Sequence, residues 1–161
     1  MAILDANDIM FRAFEPKVQN RFVLNIDTIP AFMVKNVKAP TFTDNVVKLD
    51  HINSYRKIRG KREWDDITMV LYDPITPSGA QAVMEWVRLH AESVTGRMGY
   101  AAGYKKKVDL FMLDPTGAIV ENWELRGTFL TNVNFGDLDY SGDDLADVSA
   151  TLRFDRAILK Y

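Results

Sequence analysis

Few side chains in this sequence are suited to chemistry. There is no cysteine and there are only two histidines, so disulfides, zinc ribbons and thiol nucleophiles are excluded together. His51 follows Asp50 in a stretch that reads as a strand, where adjacent side chains point to opposite faces and cannot work as one acid–base pair. His90 lies four residues after Trp86 on a predicted helix, a spacing that suits packing. No Gly-x-Ser-x-Gly elbow is present to raise a serine nucleophile. Gly96, Gly99 and Gly103 precede Lys105, Lys106 and Lys107, but they lead from helix to strand, whereas a phosphate loop leads from strand into the N-terminus of a helix. The acids at Asp65, Asp66 and Asp73, and those between Asp137 and Asp147, lack the order of a calcium loop. No catalytic residue, metal ligand or cofactor site is assigned.

What remains is a scaffold. The 161 residues, 47% of them hydrophobic and 26% charged, fit one domain, and at this length roughly 70% of the unfolded chain's surface can be buried. A net charge of −2 lacks the basic excess of a domain that holds nucleic acid through its phosphates. No apolar run is long enough to span a bilayer, and Met1 to Asp8 carries acids where a secretory signal carries Lys or Arg. The chain is therefore expected to be soluble and not exported by that route.

Short alternating segments dominate. Phe22, Leu24 and Ile26 share one side of Arg21 to Ile26, and Ile67, Met69 and Leu71 share one side of the segment from Asp66 to Tyr72. Val108, Leu110 and Met112 follow, then Asp114-Pro115-Thr116-Gly117, whose Pro and Gly suit a turn into a long strand from Ala118 to Thr131. A last alternating strand is expected from Asp147 to Leu159. Each long strand has one polar face, which antiparallel sheets permit. One helix is predicted over 78–95, capped by Ser78 with Gln81 and stopped by Gly96; Ala80, Val83, Met84, Val87, Ala91 and Val94 form its apolar stripe. A shorter helix is expected within the N-terminal segment 1–19, from Asp5 to Phe14.

Two charge blocks break the balance. Arg56, Lys57, Arg59, Lys61 and Arg62 crowd around Gly60, while Asp137, Asp139, Asp143, Asp144 and Asp147 crowd the connection between the two long strands. Like charges this close repel, so each block gains from an opposite partner.

The order of Asn20-Arg21-Phe22-Val23-Leu24-Asn25-Ile26, Gly60-Lys61-Arg62-Glu63-Trp64-Asp65-Asp66-Ile67-Thr68-Met69, the Trp86 helix, Gly103-Tyr104-Lys105-Lys106, Leu125-Arg126-Gly127-Thr128-Phe129-Leu130-Thr131-Asn132-Val133 and the C-terminal alternating strand resembles the tail tube proteins of contractile-tailed bacteriophages, over about Asn20 to Leu159. That resemblance implies a mainly β (α+β) antiparallel sandwich or barrel-like subunit with one flanking helix and an extended hairpin over 44–66. It further implies six copies to a ring, inner sheets joined into a continuous barrel, and rings stacked into a tube inside a sheath. The implied partners are other copies of the chain, the sheath, baseplate and terminator proteins, and a tape measure protein in the lumen before DNA. DNA would pass transiently without specific binding, no membrane would be bound, and the tube would belong to a virion assembled in the host cytoplasm. On this reading Arg56, Lys57, Arg59, Lys61 or Arg62 meets Asp143, Asp144 or Asp147 of another copy. Glu124, Arg126, Thr128, Ser149, Thr151, Arg153 and Asp155 are the candidates for the lumen wall.

Two other readings remain open at this point. One is the tube of a related tailocin or extracellular injection machine. The other is a monomeric β-barrel binding a ligand or single-stranded nucleic acid through Tyr100, Tyr104 and Lys105 to Lys107.

Overall fold

The computed structural model describes residues 15–161; the short helix expected from Asp5 to Phe14 lies outside them. In chain order the elements are β1 (Phe22–Ile26), a 3₁₀ turn (Ala31–Met33), β2 (Val34–Val37), β3 (Phe42–His51), β4 (Ser54–Trp64), β5 (Ile67–Tyr72), α1 (Gly79–His90), α2 (Ala101–Tyr104), β6 (Lys106–Leu113), β7 (Ile119–Asn134), β8 (Asp147–Arg153) and β9 (Arg156–Leu159). The molecule is mainly β, antiparallel throughout its strand pairs, with one principal helix.

Seven strands form one sheet in the order β1-β6-β7-β8-β5-β2, with β9 also paired to β7. The 16-residue β7 is its spine. Its first half lies between β6 and β9, and its second half pairs with β8. Leu24, Ile26, Val108, Leu110 and Leu125 from the first half of the sheet meet Ile67, Met69, Leu71, Leu130, Val148 and Leu152 from the second in one core. The sheet thus curls around its own apolar face. Its edge strands β1 and β2 come close without pairing, and the groove of about 670 Å³ between them is lined by Phe22, Leu24, Phe32, Val34 and Tyr72 among others.

The bend in the spine lies at Gly127. Lys106 is opposite Thr128 and Val108 opposite Leu125, so β7 carries one extra residue there, which makes this a β-bulge. Gly127 adopts φ +67°, a conformation that costs glycine little, and a Cβ at this position would overlap the Asp155 carboxylate. Opposite the bulge the expected single C-terminal strand breaks into β8 and β9, with the Asp155 N–H donating to the Arg126 carbonyl at 3.0 Å.

The extra residue reverses inside and outside along β7. Leu125 points to the core before it; Thr128 and Leu130 point to the core after it. Thr128 is therefore corrected: uninterrupted alternation would place it on the polar face with Glu124 and Arg126, but it is 0% exposed in the core.

The start of α1 follows its local sequence. Ser78 Oγ accepts from the Gln81 N–H at 3.4 Å, and Asp73 Oδ1 accepts from the Gly79 and Ala80 N–H groups at 2.9 and 3.2 Å. Such bonds satisfy donors that the first turn leaves orphaned. The helix ends earlier than its apolar spacing suggested, at His90. Ala91 then turns extended to bridge Met98, with Gly96 at φ +69° in the turn between. Val83 and Trp86 are the residues of α1 that enter the core.

Candidate functional site

β3 and β4 form a two-stranded ribbon that pairs with no other strand among the described residues. Its base is anchored: Phe42 and Trp64 are edge-to-face at 5.3 Å, and Trp64 packs on the core residue Phe154 at 5.8 Å. Beyond that base the ribbon stands in solvent. Its register places Val47 opposite Ile58 and Leu49 opposite Arg56 on one face. All three apolar side chains are exposed, and Ile52 at the tip is 89% exposed. A lone two-stranded ribbon is marginal in water, and an exposed apolar ribbon face is a feature of interaction surfaces.

The opposite face of this arm carries charge. Arg59 and Arg62 both bind Asp44, at 2.8 and 2.7 Å, and the Arg62 guanidinium lies 3.6 Å from the Phe42 ring centroid. The hydrogen bond from Arg62 holds the Asp44 carboxyl below the usual carboxylate range. Lys48 and Lys57 flank the Tyr55 ring at 4.7 and 5.8 Å. Sequence reasoning missed Asp44, which lies outside the basic block but neutralises part of it. Among the described residues Arg56, Lys57 and Lys61 make no ion pair.

The acids fall into two groups. Asp147 is bound by Lys35 at 2.6 Å inside the subunit. Asp143 and Asp144 make no ion pair among the described residues and lie in the exposed loop after β7. Leu138, Tyr140 and Leu145 are exposed in the same loop.

The polar candidates on the strands divide between two outward faces. On the β7-β8-β5-β2 half, Ser149, Thr151 and Arg153 stand beside Asn132, Asn134 and Thr68. This face carries hydroxyls and amides together with Val70 and Tyr72; Arg153 and Lys35 are tied off by acids, while Lys38, whose backbone N–H donates to the Thr68 carbonyl, makes no ion pair among the described residues. Arg153 grips Asp66 with two bonds of 2.7 and 2.8 Å, depressing the Asp66 pKa, and Lys35 holds Asp147.

On the β1-β6-β7-β9 half, Glu124 and Arg126 belong to a charged cluster. Glu124 sits in the middle strand with a side chain only 3% exposed, beneath Lys107, Arg126 and Lys160. Hydrogen bonds, first from Lys160 and then from Arg126, pull its pKa from an ordinary 4.5 to about 2. A depressed carboxylate pKa stabilises the fold above the unfolded value and loses that contribution as pH falls through the folded one. Glu124 should therefore weaken the fold progressively from about pH 4.5 down to about pH 2. Urea titrations across that window should show a smaller acid-induced loss for Glu124→Gln than for the parent; an equal loss would remove Glu124 from the account. Asp155 lies at the bend, paired with Lys105 at 2.9 Å.

Among the described residues no group of three His, Asp or Glu side chains is placed to hold a metal. Tyr100 is exposed on the α2 connection, whereas Tyr104 is half-buried against His90 and Phe129. The stacking pair suggested for a monomeric nucleic-acid binder is thus half used in packing.

No family model and no curated protein matches this chain. Solved structures do. The tube-terminating cap of the anti-feeding prophage superposes with TM-score 0.76 at 16% identity, over 97% of this chain and 99% of that one. The sheath/tube terminator of the extracellular contractile injection system PVC gives 0.74 at 17% identity, over 93% and 100%. A chain of the PVC sheath–tube complex gives 0.71 at 18%, over 90% and 91%. The fold is that of the tube and tube-terminator proteins of contractile injection systems. Each likeness spans nearly the whole chain, so the arm, the curled sheet and the helix belong to one architecture.

Proposed function

We propose that this chain is a non-enzymatic building block of the central tube of a contractile injection machine. The observation that carries the reading is the arm: an anchored ribbon whose Val47, Leu49, Ile52 and Ile58 are left exposed by the described residues. The outer edges of β1 and β2, which pair with no strand among the described residues, add backbone donors and acceptors that a neighbouring copy can satisfy. Copies closing into six-membered rings, and rings stacking inside a sheath on a baseplate, would cover both. Arms and edges would supply the affinity; Arg56, Lys57 and Lys61, which make no ion pair among the described residues, would set register against acids of a neighbouring copy.

The bore fits the β7-β8-β5-β2 face. Ser149, Thr151, Asn132 and Thr68 offer water-like hydrogen bonding, while Arg153 and Lys35 are already held by acids. A polyanion sliding past would find few unpaired cations to release counterions from, and would not be gripped. Glu124 and Arg126 lie on the other half and are not assigned to this wall. Transit of DNA, after a tape measure protein, is the phage form of this function. Passage of protein through an extracellular machine is the second form, favoured by the likeness to the PVC and anti-feeding prophage chains.

Negative-stain microscopy of the purified chain tests the proposal. Rings or hollow tubes support it, and long tubes rather than single rings indicate a tube subunit instead of a terminating piece. Small monodisperse particles at every concentration, with or without baseplate components, overturn it.

A further inference from the structure

The charged cluster around Glu124 contains an arrangement that the subunit alone leaves unresolved. Arg126 and Arg156 are directly opposite one another across β7 and β9, and like charges in register repel. With Lys107 on β6 and Lys160 beside Asn122, four cations share a patch on three adjacent strands. Its carboxylates are Glu124, already committed to Lys107, Arg126 and Lys160, and Asp109, 3.3 Å from Lys107. Arg156 makes no ion pair among the described residues. A carboxylate arriving from outside would sit between Arg126 and Arg156 and remove the repulsion.

We propose that this patch receives the acidic loop after β7, carrying Asp143 and Asp144, from a second copy of the chain. The loop has the complementary charge and, in Leu138, Tyr140 and Leu145, exposed apolar side chains to bury beside Ile158 and Phe111. It cannot reach the patch of its own subunit while the strand is formed, because β7 separates them: from Arg126 to Asn134 the strand alone spans roughly 26 Å. Complementary surfaces at opposite ends of one long element make a head-to-tail contact, the kind that propagates into rings or stacks. The contact rests on the reading that copies of this chain assemble, and it names a surface for that assembly apart from the arm.

The cysteine-free sequence gives a direct test. Full-length Leu145→Cys and Ile158→Cys chains, which keep every charge, are mixed in equal amounts and treated with a short bis-maleimide. A covalent dimer joining the two variants is expected, while neither variant alone should give a comparable yield. Adding Arg156→Glu to the Ile158→Cys chain should lower the yield by about three- to fivefold, as for a partly exposed ion pair, and Asp143→Arg in the other chain should restore it. Absence of the mixed dimer in samples that still form rings or tubes by microscopy overturns this contact and leaves the tube reading standing. Absence of both dimer and assemblies overturns both. If Arg156→Glu leaves the crosslink unchanged but abolishes binding of a labelled DNA duplex, the patch belongs to a polyanion and the proposal is overturned.

Discussion

Trp86→Ala should lower the stability of the isolated subunit by about 3–5 kcal/mol, the range for removing a large aromatic side chain from a packed core. Trp86 is 0% exposed and is the largest of the fully buried side chains. Its indole fills the space where α1 meets the sheet, and its Nε1–H donates to the Tyr104 carbonyl at 2.8 Å. Alanine leaves a cavity and an unpaired carbonyl at once. The two effects can be separated with Trp86→Phe, which keeps most of the bulk and should cost about 1–3 kcal/mol through the lost hydrogen bond. Urea unfolding of the unassembled chain measures both, and a change below 1 kcal/mol for Trp86→Ala would mean that the helix is not integral to the core.

The second large effect falls on assembly and spares the fold. Val47→Glu combined with Ile58→Lys places opposite charges on a directly paired position of the arm, so the ribbon keeps a cross-strand attraction. The stability of the isolated subunit should change by no more than about 0.5 kcal/mol, as for other surface substitutions. The apolar face, however, becomes charged. Val47 and Ile58 are each about half-buried already, so covering what remains contributes about 1.5–3 kcal/mol, and its loss at every contact between copies weakens each by about ten- to a hundredfold. Micrographs that show rings or tubes for the parent should show only separate subunits for the double variant. Assemblies of unchanged length would show that the arm's apolar face is not what joins the copies.

Much of the fold is written locally. Phe22, Leu24 and Ile26 declare β1 by alternation, and the β6–β7 turn is declared by Asp114, whose Oδ1 accepts from the Thr116 and Ala118 N–H groups at 2.8 Å. The start of α1 is equally legible in Ser78. The bulge is not. A glycine in a strand announces a possible irregularity, but nothing local says that Gly127 takes φ +67° because Asp155 closes over it, and Thr128 is misread as a result. The candidate surfaces follow the same division. The basic block is visible as composition, yet the neutralising role of Asp44 depends on a register that pairs it with Arg62. Arg156 draws no notice in the sequence; it gains meaning only beside Arg126, thirty positions earlier in the chain.

The sheet order described above also sets a timetable for folding. β1 must wait for β6 and β5 for β8, partners roughly 75 to 90 residues further along, and ladders closed across such separations form slowly, in milliseconds to seconds. During synthesis the N-terminal strands and the β3–β4 ribbon emerge long before β8 exists to complete the core. The ribbon's local pairing can form early, whereas the edges of β1 and β5 remain open until most of the chain is made. A nascent subunit therefore exposes strand edges while its neighbours on the same message do likewise, and mispairing competes with folding during that interval. Rapid release from the ribosome and low local concentration should favour correctly closed subunits over tangled ones.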